Sequence, residues 1–284
     1  MLSRSSNGAR SLAGRVAVIT GGARGVGLET ARVLAARGAR VALADIDGDL
    51  ARAEAAALPG AAGFDVDVRD RASFAELLSD VADRLGPVDI LLNNAGGLHL
   101  GPFLEADERI IREEIDVHIM GVVHGMQLAI PEMLRRGGGH IVNVNSAAGK
   151  WSVPGMSGYS MSKHAIVGLT QLVREELRAA PIELSLVLFG PASTEFALGM
   201  RSQRLVKIIP HEDVAVAIGD TLERPRFEVW VPAWLGRLWT LSEMLPSPLK
   251  TAARRFGGID RVGTDVDHAK RAPYEQRAYG DVVV

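Results

Sequence analysis

Short apolar, β-rich runs alternate with helix-length stretches along most of this chain, and that alternation leaves few architectures open. Strands are predicted at Val16–Ile19, Val41–Ala44, a run ending near Val66, Val88–Leu92, Ile141–Val144, Leu184–Phe189 and Phe227–Val231. Helices are predicted over Val26–Arg37, Arg71–Leu85, Asp107–Arg136, Gly158–Ala179 and Glu212–Glu223. Gly38 stops the first of them. Alternating β and α elements imply a parallel sheet covered by helices on both faces, a doubly wound α/β fold. The length, 284 residues, suits one large domain of this kind, and 47% hydrophobic with 23% charged residues is an ordinary globular balance.

The segment Thr20-Gly21-Gly22-Ala23-Arg24-Gly25-Val26-Gly27 joins the first strand to the first helix. Glycine permits the sharp turn, and its missing side chain lets a pyrophosphate approach the main chain. Free N–H groups at the start of the next helix favour those phosphates. The plain alternative is a tight turn with no ligand. Asp45 closes the second strand, eighteen residues after Gly27. A carboxylate there accepts hydrogen bonds from both ribose hydroxyls of an adenosine and repels a 2′-phosphate, which favours NAD over NADP. Arg24 pulls the other way, since a cation beside the turn can serve a 2′-phosphate; Asp45 is taken to decide. Asp47 is a second acidic residue nearby, in the turn beyond the strand.

Tyr159 and Lys163 stand four residues apart in a predicted helix and so share a face. A tyrosine, with a pKa near 10, is a poor base at neutral pH, and a neighbouring ammonium favours its phenolate. The phenol can then exchange a proton with an alcohol or carbonyl oxygen. Ser146, thirteen residues earlier and just past a strand, can hold that oxygen. A YxxxK pair alone is weak, because most such pairs are exposed helix residues. Combined with the glycine turn, Asp45 and Ser146, it is specific.

Together these residues resemble the short-chain dehydrogenase/reductase family, in its single-domain branch, from about Arg15 to Val231. Val18-Ile19-Thr20-Gly21 with Gly25 and Gly27 is similar to the cofactor turn, and Asp67-Val68 to the pair that contacts the adenine. Asn93-Asn94-Ala95-Gly96 is similar to the NNAG motif, which sets Asn94 by the cofactor. Ser146, Tyr159 and Lys163 match the catalytic triad at its spacing, and Gly190 with Thr194 the loop that contacts the nicotinamide amide. By the same resemblance Lys163 also binds the nicotinamide ribose, and Tyr159 belongs to the cofactor site. Arg24 and Val26, inside the turn, are assigned to the cofactor as well. Three departures stand out. His118 occupies the place of an asparagine that holds a relay water beside the lysine, which makes its ring a candidate proton carrier. Alternatively, only its backbone carbonyl serves that water. Phe189-Gly190 replaces a Pro-Gly pair, with Pro191 one step late, and Asn145-Ser146 replaces a serine pair.

The resemblance implies a Rossmann fold that transfers hydride between NAD and a secondary alcohol or ketone, with a homo-oligomer, dimer or tetramer, as its assembly. Two other readings remain: a non-catalytic NAD(H)-binding sensor, and an NADPH-dependent carbonyl reductase. Phe196, Leu198, Met200 and Leu205 suggest an apolar substrate. Residues 1–12 are expected to be a flexible tail, 13–232 the cofactor-binding and catalytic domain, and 233–284 a C-terminal helical extension and tail. In that extension Trp234, Leu238 and Leu241 share a helical face. That face packs on the body or a neighbouring subunit, closes as a lid, or touches a membrane surface.

Several classes fall away. The net charge of −2 offers no basic field for nucleic acid. Arg135-Arg136, before three glycines and without interleaved aromatics, fits a solvated helix end. With no cysteine, disulfides and thiolate chemistry are excluded, and a reducing cytoplasm is compatible. His99, His124, His140, His164 and His211 lack ligand spacing, so no metal is expected. No apolar run reaches the roughly 18 residues of a spanning helix, and MLSRSSNGAR lacks the apolar core of a secretory signal.

Overall fold

The computed structural model describes residues 9–280. Seven parallel strands form one sheet: β1 (Val16–Thr20), β2 (Arg40–Asp45), β3 (Ala61–Asp65), β4 (Ile90–Asn93), β5 (Gly139–Val144), β6 (Ile182–Phe189) and β7 (Glu228–Val231). Their spatial order is β3-β2-β1-β4-β5-β6-β7. Among the described residues the α-helices are α1 (Gly25–Ala36), α2 (Gly48–Ala56), α3 (Arg71–Arg84), α4 (Glu108–Ile115), α5 (Gly121–Arg135), α6 (Ser157–Glu176), α7 (His211–Glu223), α8 (Trp234–Glu243), α9 (Ser247–Gly257) and α10 (His268–Tyr279).

Two cores explain why the central strands are apolar on both faces. On one side Ala31 and Leu34 of α1, Ala51 of α2 and Ile218 of α7 pack with Ile19, Leu43 and Leu92. On the other, Phe74 and Leu77 of α3, Met126 of α5 and Ile166 of α6 pack with Val18, Leu91 and Ile141. Strand order reverses between β1 and β4, whose paired residues include Val18 and Leu91. A crevice opens there at the carboxyl ends of the strands, the usual ligand position in doubly wound sheets.

Four expectations need correction. Helix α2 has no counterpart in the sequence reading. It is short and turns only Ala51, Ala55 and Gly48 inward, too small a stripe for a helical period to stand out; Asp47 starts it by accepting the Leu50 N–H at 3.1 Å. The helix expected over Asp107–Arg136 is α4 and α5 joined by a single π turn, Asp116–Met120. Such single turns concentrate at functional sites. Of the tail expected over residues 1–12, residues 1–8 lie outside the described residues, and Arg10 and Leu12 of the rest are fastened to the body while Ala9 and Ser11 are exposed. Leu12 is buried, the Arg10 N–H donates to the Glu223 carbonyl, and its guanidinium meets Glu183 at 2.7 Å. Finally, the face carrying Trp234, Leu238 and Leu241 packs on the body only through Leu238, which lies against the cluster of Trp151, Leu235 and Ile259, while Trp234 and Leu241 stay outside. Leu235 and Gly236 turn inward instead.

Candidate active site

The glycine turn is held by its own geometry. Gly21 and Gly25 have φ of 63° and 52°, in the left-handed region that side chains disfavour. A Cβ on Gly27 would sit 2.1 Å from the Gly21 carbonyl oxygen, so α1 can approach the turn only with glycine there. Asn94 braces the turn from β4: its Nδ2 donates to the carbonyls of Thr20 at 2.9 Å and Gly21 at 3.0 Å. The residue lies beside the expected cofactor site, but its amide is spent on shaping the turn. No side chain caps α1, which leaves its first N–H groups without a capping acceptor.

Asp45 ends β2 buried, its Oδ2 accepting the Ala23 N–H at 3.0 Å and its Oδ1 the Asp47 N–H at 3.1 Å. The first bond ties the carboxylate to the glycine turn, and the second ties it to the turn beyond β2. Arg24 does not stand free, because its guanidinium pairs with Asp47 at 2.6 Å. That cation's hydrogen bond holds the Asp47 carboxyl below its usual range. Asp67 is gripped by Arg69 at 2.8 Å, which lowers its pKa in the same way, and Val68 is buried beside Gly121.

One cavity of about 480 Å³ joins these elements to the expected catalytic residues. Gly21, Gly27, Asp45, Asp67 and Thr194 line it, and so do Ser146, Tyr159 and Lys163. Gly25, Val26, Val68, Asn94 and Gly190 also border it. Its size falls in the ordinary range for a small-molecule site. Ser146 follows β5; its hydroxyl oxygen accepts the Ala148 N–H at 3.1 Å and reaches the Phe189 carbonyl at 3.4 Å. Tyr159 and Lys163 sit one turn apart on α6, and Nζ of Lys163 lies 5.4 Å from the phenol ring centre.

The electrostatics differ from the sequence expectation in one respect. Burial pushes the Tyr159 phenol up to about 12, opposed by a contact with Ser146 and reinforced by the charge of Glu114. Burial also brings Lys163 down to about 8, while Glu114 raises it. Desolvation of both groups therefore outweighs the attraction between ammonium and phenolate in the protein by itself.

His118 is buried and meets Tyr159 edge-on, with ring centres 5.4 Å apart. The Gly97 N–H donates to its Nε2 at 3.0 Å, so Nδ1 carries the proton and faces the Ser162 hydroxyl at 2.9 Å. That hydroxyl donates in turn to the Gly158 carbonyl at 2.8 Å. Burial and the Lys163 charge hold the ring far below its usual pKa, hence neutral. With both nitrogens engaged by protein, the ring has no free position for a relay water.

The cavity also draws on residues that sequence reasoning missed. Glu114 lies four residues before His118, on the same helical rod, and is buried against Gly158. Burial raises its carboxyl to about 7. The i, i+4 spacing to His118 was the available signal. Tyr274 and Tyr279 of α10 also line the cavity, and no periodicity announced them. The Leu98 N–H donates to the Tyr274 hydroxyl oxygen at 2.8 Å. Arg271 anchors α10 from within: fully buried, it donates to the carbonyls of Phe196 at 2.7 Å, Leu198 at 3.1 Å and Leu98, and to Glu275 at 2.8 Å. Of the apolar residues expected to line the substrate region, Phe196 and Met200 do so; Leu198 is half-exposed and Leu205 packs on Gly257.

The short chain dehydrogenase family matches residues 15–205. Oxidoreductase UcpA of Salmonella typhimurium is 36% identical over 197 residues, covering 68% of this chain and 74% of that protein. A 2-dehydro-3-deoxy-L-rhamnonate dehydrogenase (NAD(+)) of a Sphingomonas species is 38% identical over 167 residues, covering 58% of this chain and 67% of the relative. A short chain dehydrogenase/reductase from Burkholderia phymatum, solved in complex with NAD, superposes with a TM-score of 0.75 at 27% identity, covering 82% of this chain and 94% of that one. The chain belongs to the short chain dehydrogenase family, and is an oxidoreductase of CH–OH or carbonyl groups.

Proposed function

We propose that the chain transfers a hydride between NAD and an apolar secondary alcohol or its ketone. The observation that carries this reading is that the glycine turn, Asp45 and the Ser146–Tyr159–Lys163 set open into one cavity. Glycines too crowded for any Cβ, next to a helix start without a cap, fit a pyrophosphate. Gly21, Gly25, Val26 and Gly27 would hold it, Asp45 the adenosine ribose, and Asp67 with Val68 the adenine edge. Gly190, Thr194 and Lys163 would flank the nicotinamide end. The preference for NAD is supported by the Arg24–Asp47 ion pair, which leaves the one cation of the turn already neutralised next to an acidic strand end.

Bound NAD supplies the hydride acceptor and, in its oxidised form, a positive charge at the nicotinamide. The protein's part is positioning and proton transfer. The Ser146 hydroxyl donates to the substrate oxygen. Tyr159 gives its phenolic proton to that oxygen during carbonyl reduction and takes it back during alcohol oxidation. Oxidation needs the phenolate, which positive charge from Lys163 favours. Trp151, Met156, Phe196, Met200, Val206 and Leu235 make an apolar part of the remaining wall, beside the polar Glu114, Glu195, Arg277 and Tyr279, and that apolar part supports an apolar substrate. A homo-oligomer belongs to the same proposal, supported by the exposed Met161 and Leu172 on the outer side of α6.

The test is turnover of secondary alcohols of increasing apolar size with NAD and with NADP, followed at the reduced-nicotinamide absorbance. Turnover with NAD, rising with apolar size, is expected. Tyr159→Phe should cost at least about two orders of magnitude in rate and keep NAD binding. A variant that retains a tenth of the rate, or a wild type that prefers NADP, refutes the corresponding part.

A further inference from the structure

Helices α8 and α9 break the pattern of the rest of the surface. In α9 the apolar residues Leu249, Ala252, Ala253 and Phe256 recur at i, i+3, i+4 and i+7, and so form one face. All four are exposed; Leu249 is 57% and Phe256 62% accessible. Trp234 and Leu241 of α8 and Met244, just after it, are exposed as well. A water-facing helix gains nothing from such a stripe, and contiguous apolar surface of this kind marks a contact site.

The charges around it identify the contact. Residues 234–257 hold four cations, Arg237, Lys250, Arg254 and Arg255, and one anion, Glu243, whereas the whole chain is net −2. Glu243 and Lys250 pair with each other at 2.9 Å and Arg254 donates to the Ser152 carbonyl, which leaves, among the described residues, Arg237 and Arg255 as the cations of this segment that face outward without such a partner. Arg204 adds a further cation, stacked 3.8 Å over the Phe256 ring. An exposed apolar stripe flanked by Lys and Arg, with Trp and Phe among its members, is the composition of a helix lying in a bilayer interface. No helix among the described residues is long and apolar enough to cross a membrane, so the contact is with a surface.

The same elements bound the catalytic cavity. Leu235 of α8 and Ile259, two residues past α9, line it. We propose that α8 and α9 dock on an anionic lipid bilayer, with Leu249 and Phe256 entering the interface and the surrounding cations meeting lipid phosphates. An apolar alcohol or ketone dissolved in that bilayer then reaches the cavity beside its docked wall. The docking stands on these helices alone; the delivery of substrate rests on the proposed function.

The test is sedimentation of the full chain with vesicles of phosphatidylcholine, alone or mixed with phosphatidylglycerol. Binding to the mixed vesicles is expected, weakening as salt rises, with about fivefold lost for Arg255→Gln, the scale of one interfacial cation. Leu249→Glu with Phe256→Glu should abolish it while the thermal unfolding midpoint and turnover of a short, water-soluble secondary alcohol stay unchanged. Turnover of a long-chain alcohol presented in vesicles should fall in the same variant. No binding to anionic vesicles at low salt overturns the proposal. So does a protein that sediments as a dimer dissociated by Phe256→Glu and ignores vesicles, since a second copy then covers this face. Vesicle binding without NAD-dependent turnover of any alcohol leaves the docking intact and refutes the proposed function instead.

Discussion

The Tyr279 hydroxyl, at the end of α10, donates to Oε1 of Glu114 across 3.2 Å, and the same oxygen accepts the His99 N–H at 2.9 Å. The far end of the described chain is thereby tied to the wall beside the proposed acid–base pair. Glu114 bears the cost of that place: burial lifts its carboxyl from 4.5 to about 7. Folding thus favours the protonated form. The penalty is absent below pH 4.5, grows toward pH 7 and is constant above it. Its ceiling is about 3 kcal/mol. Glu114→Gln should therefore gain stability relative to wild type as pH rises from 4.5 to 8, read as urea midpoints at the two ends. A difference that stays flat with pH would mean an ordinary carboxyl.

His118 invites the opposite expectation. Its ring is neutral and both nitrogens have protein partners. His118→Asn should leave any inflection near pH 7 in the rate profile where it is, because Glu114, lifted by burial to about 7, is the group expected to titrate there. Stability should drop by about 1–3 kcal/mol if the Gly97 N–H loses its acceptor. Disappearance of the inflection in His118→Asn, but not in Glu114→Gln, would identify the histidine as the titrating group.

Asp45 holds the Ala23 N–H of the glycine turn in addition to its proposed ribose contact. Asp45→Ala should then weaken NAD by more than one lost ribose bond, at least about tenfold, and raise NADP relative to NAD. Asp47→Ala, which frees Arg24 and spares the strand end, should raise NADP affinity with little loss of NAD. Calorimetric titration with both cofactors distinguishes the two. Equal NAD affinity in wild type and Asp45→Ala would remove Asp45 from the site.

Arg271 satisfies three carbonyls and Glu275 from a position with no exposure. Arg271→Met fills the volume and strands all four acceptors. A loss of about 3–5 kcal/mol is expected, the scale for breaking a buried pair. Where the variant still folds, KM for the alcohol should rise more than Kd for NAD, since Tyr274 and Tyr279 of α10 line the cavity at a place the proposed function gives to the substrate. An equal change in both would mean that α10 supports the whole fold and not the pocket in particular.

The sheet was legible because its strands are apolar on both faces and its helices carry wide stripes. Helix α2 was not, since Ala51 and Ala55 are too small to set a period. The glycine turn and the Tyr159–Lys163 spacing carry their chemistry locally, within eight and five residues. Glu114, Tyr274 and Tyr279 reach the cavity only through tertiary packing, from 165 residues apart in the case of Glu114 and Tyr279. No local pattern encodes such a meeting. The direction of the Tyr159 shift escaped for the same reason, because a neighbouring lysine is visible in a sequence and the depth of burial is not.

The fastening of α10 by Arg271 also sets an order of assembly during synthesis. Every residue of the glycine turn, Asp45, Ser146, Tyr159 and Lys163 leaves the ribosome before His268. On the proposed function, a nascent chain would then hold every residue of its sheet and dinucleotide site while the cavity still lacks the part of its wall that Tyr274 and Tyr279 supply.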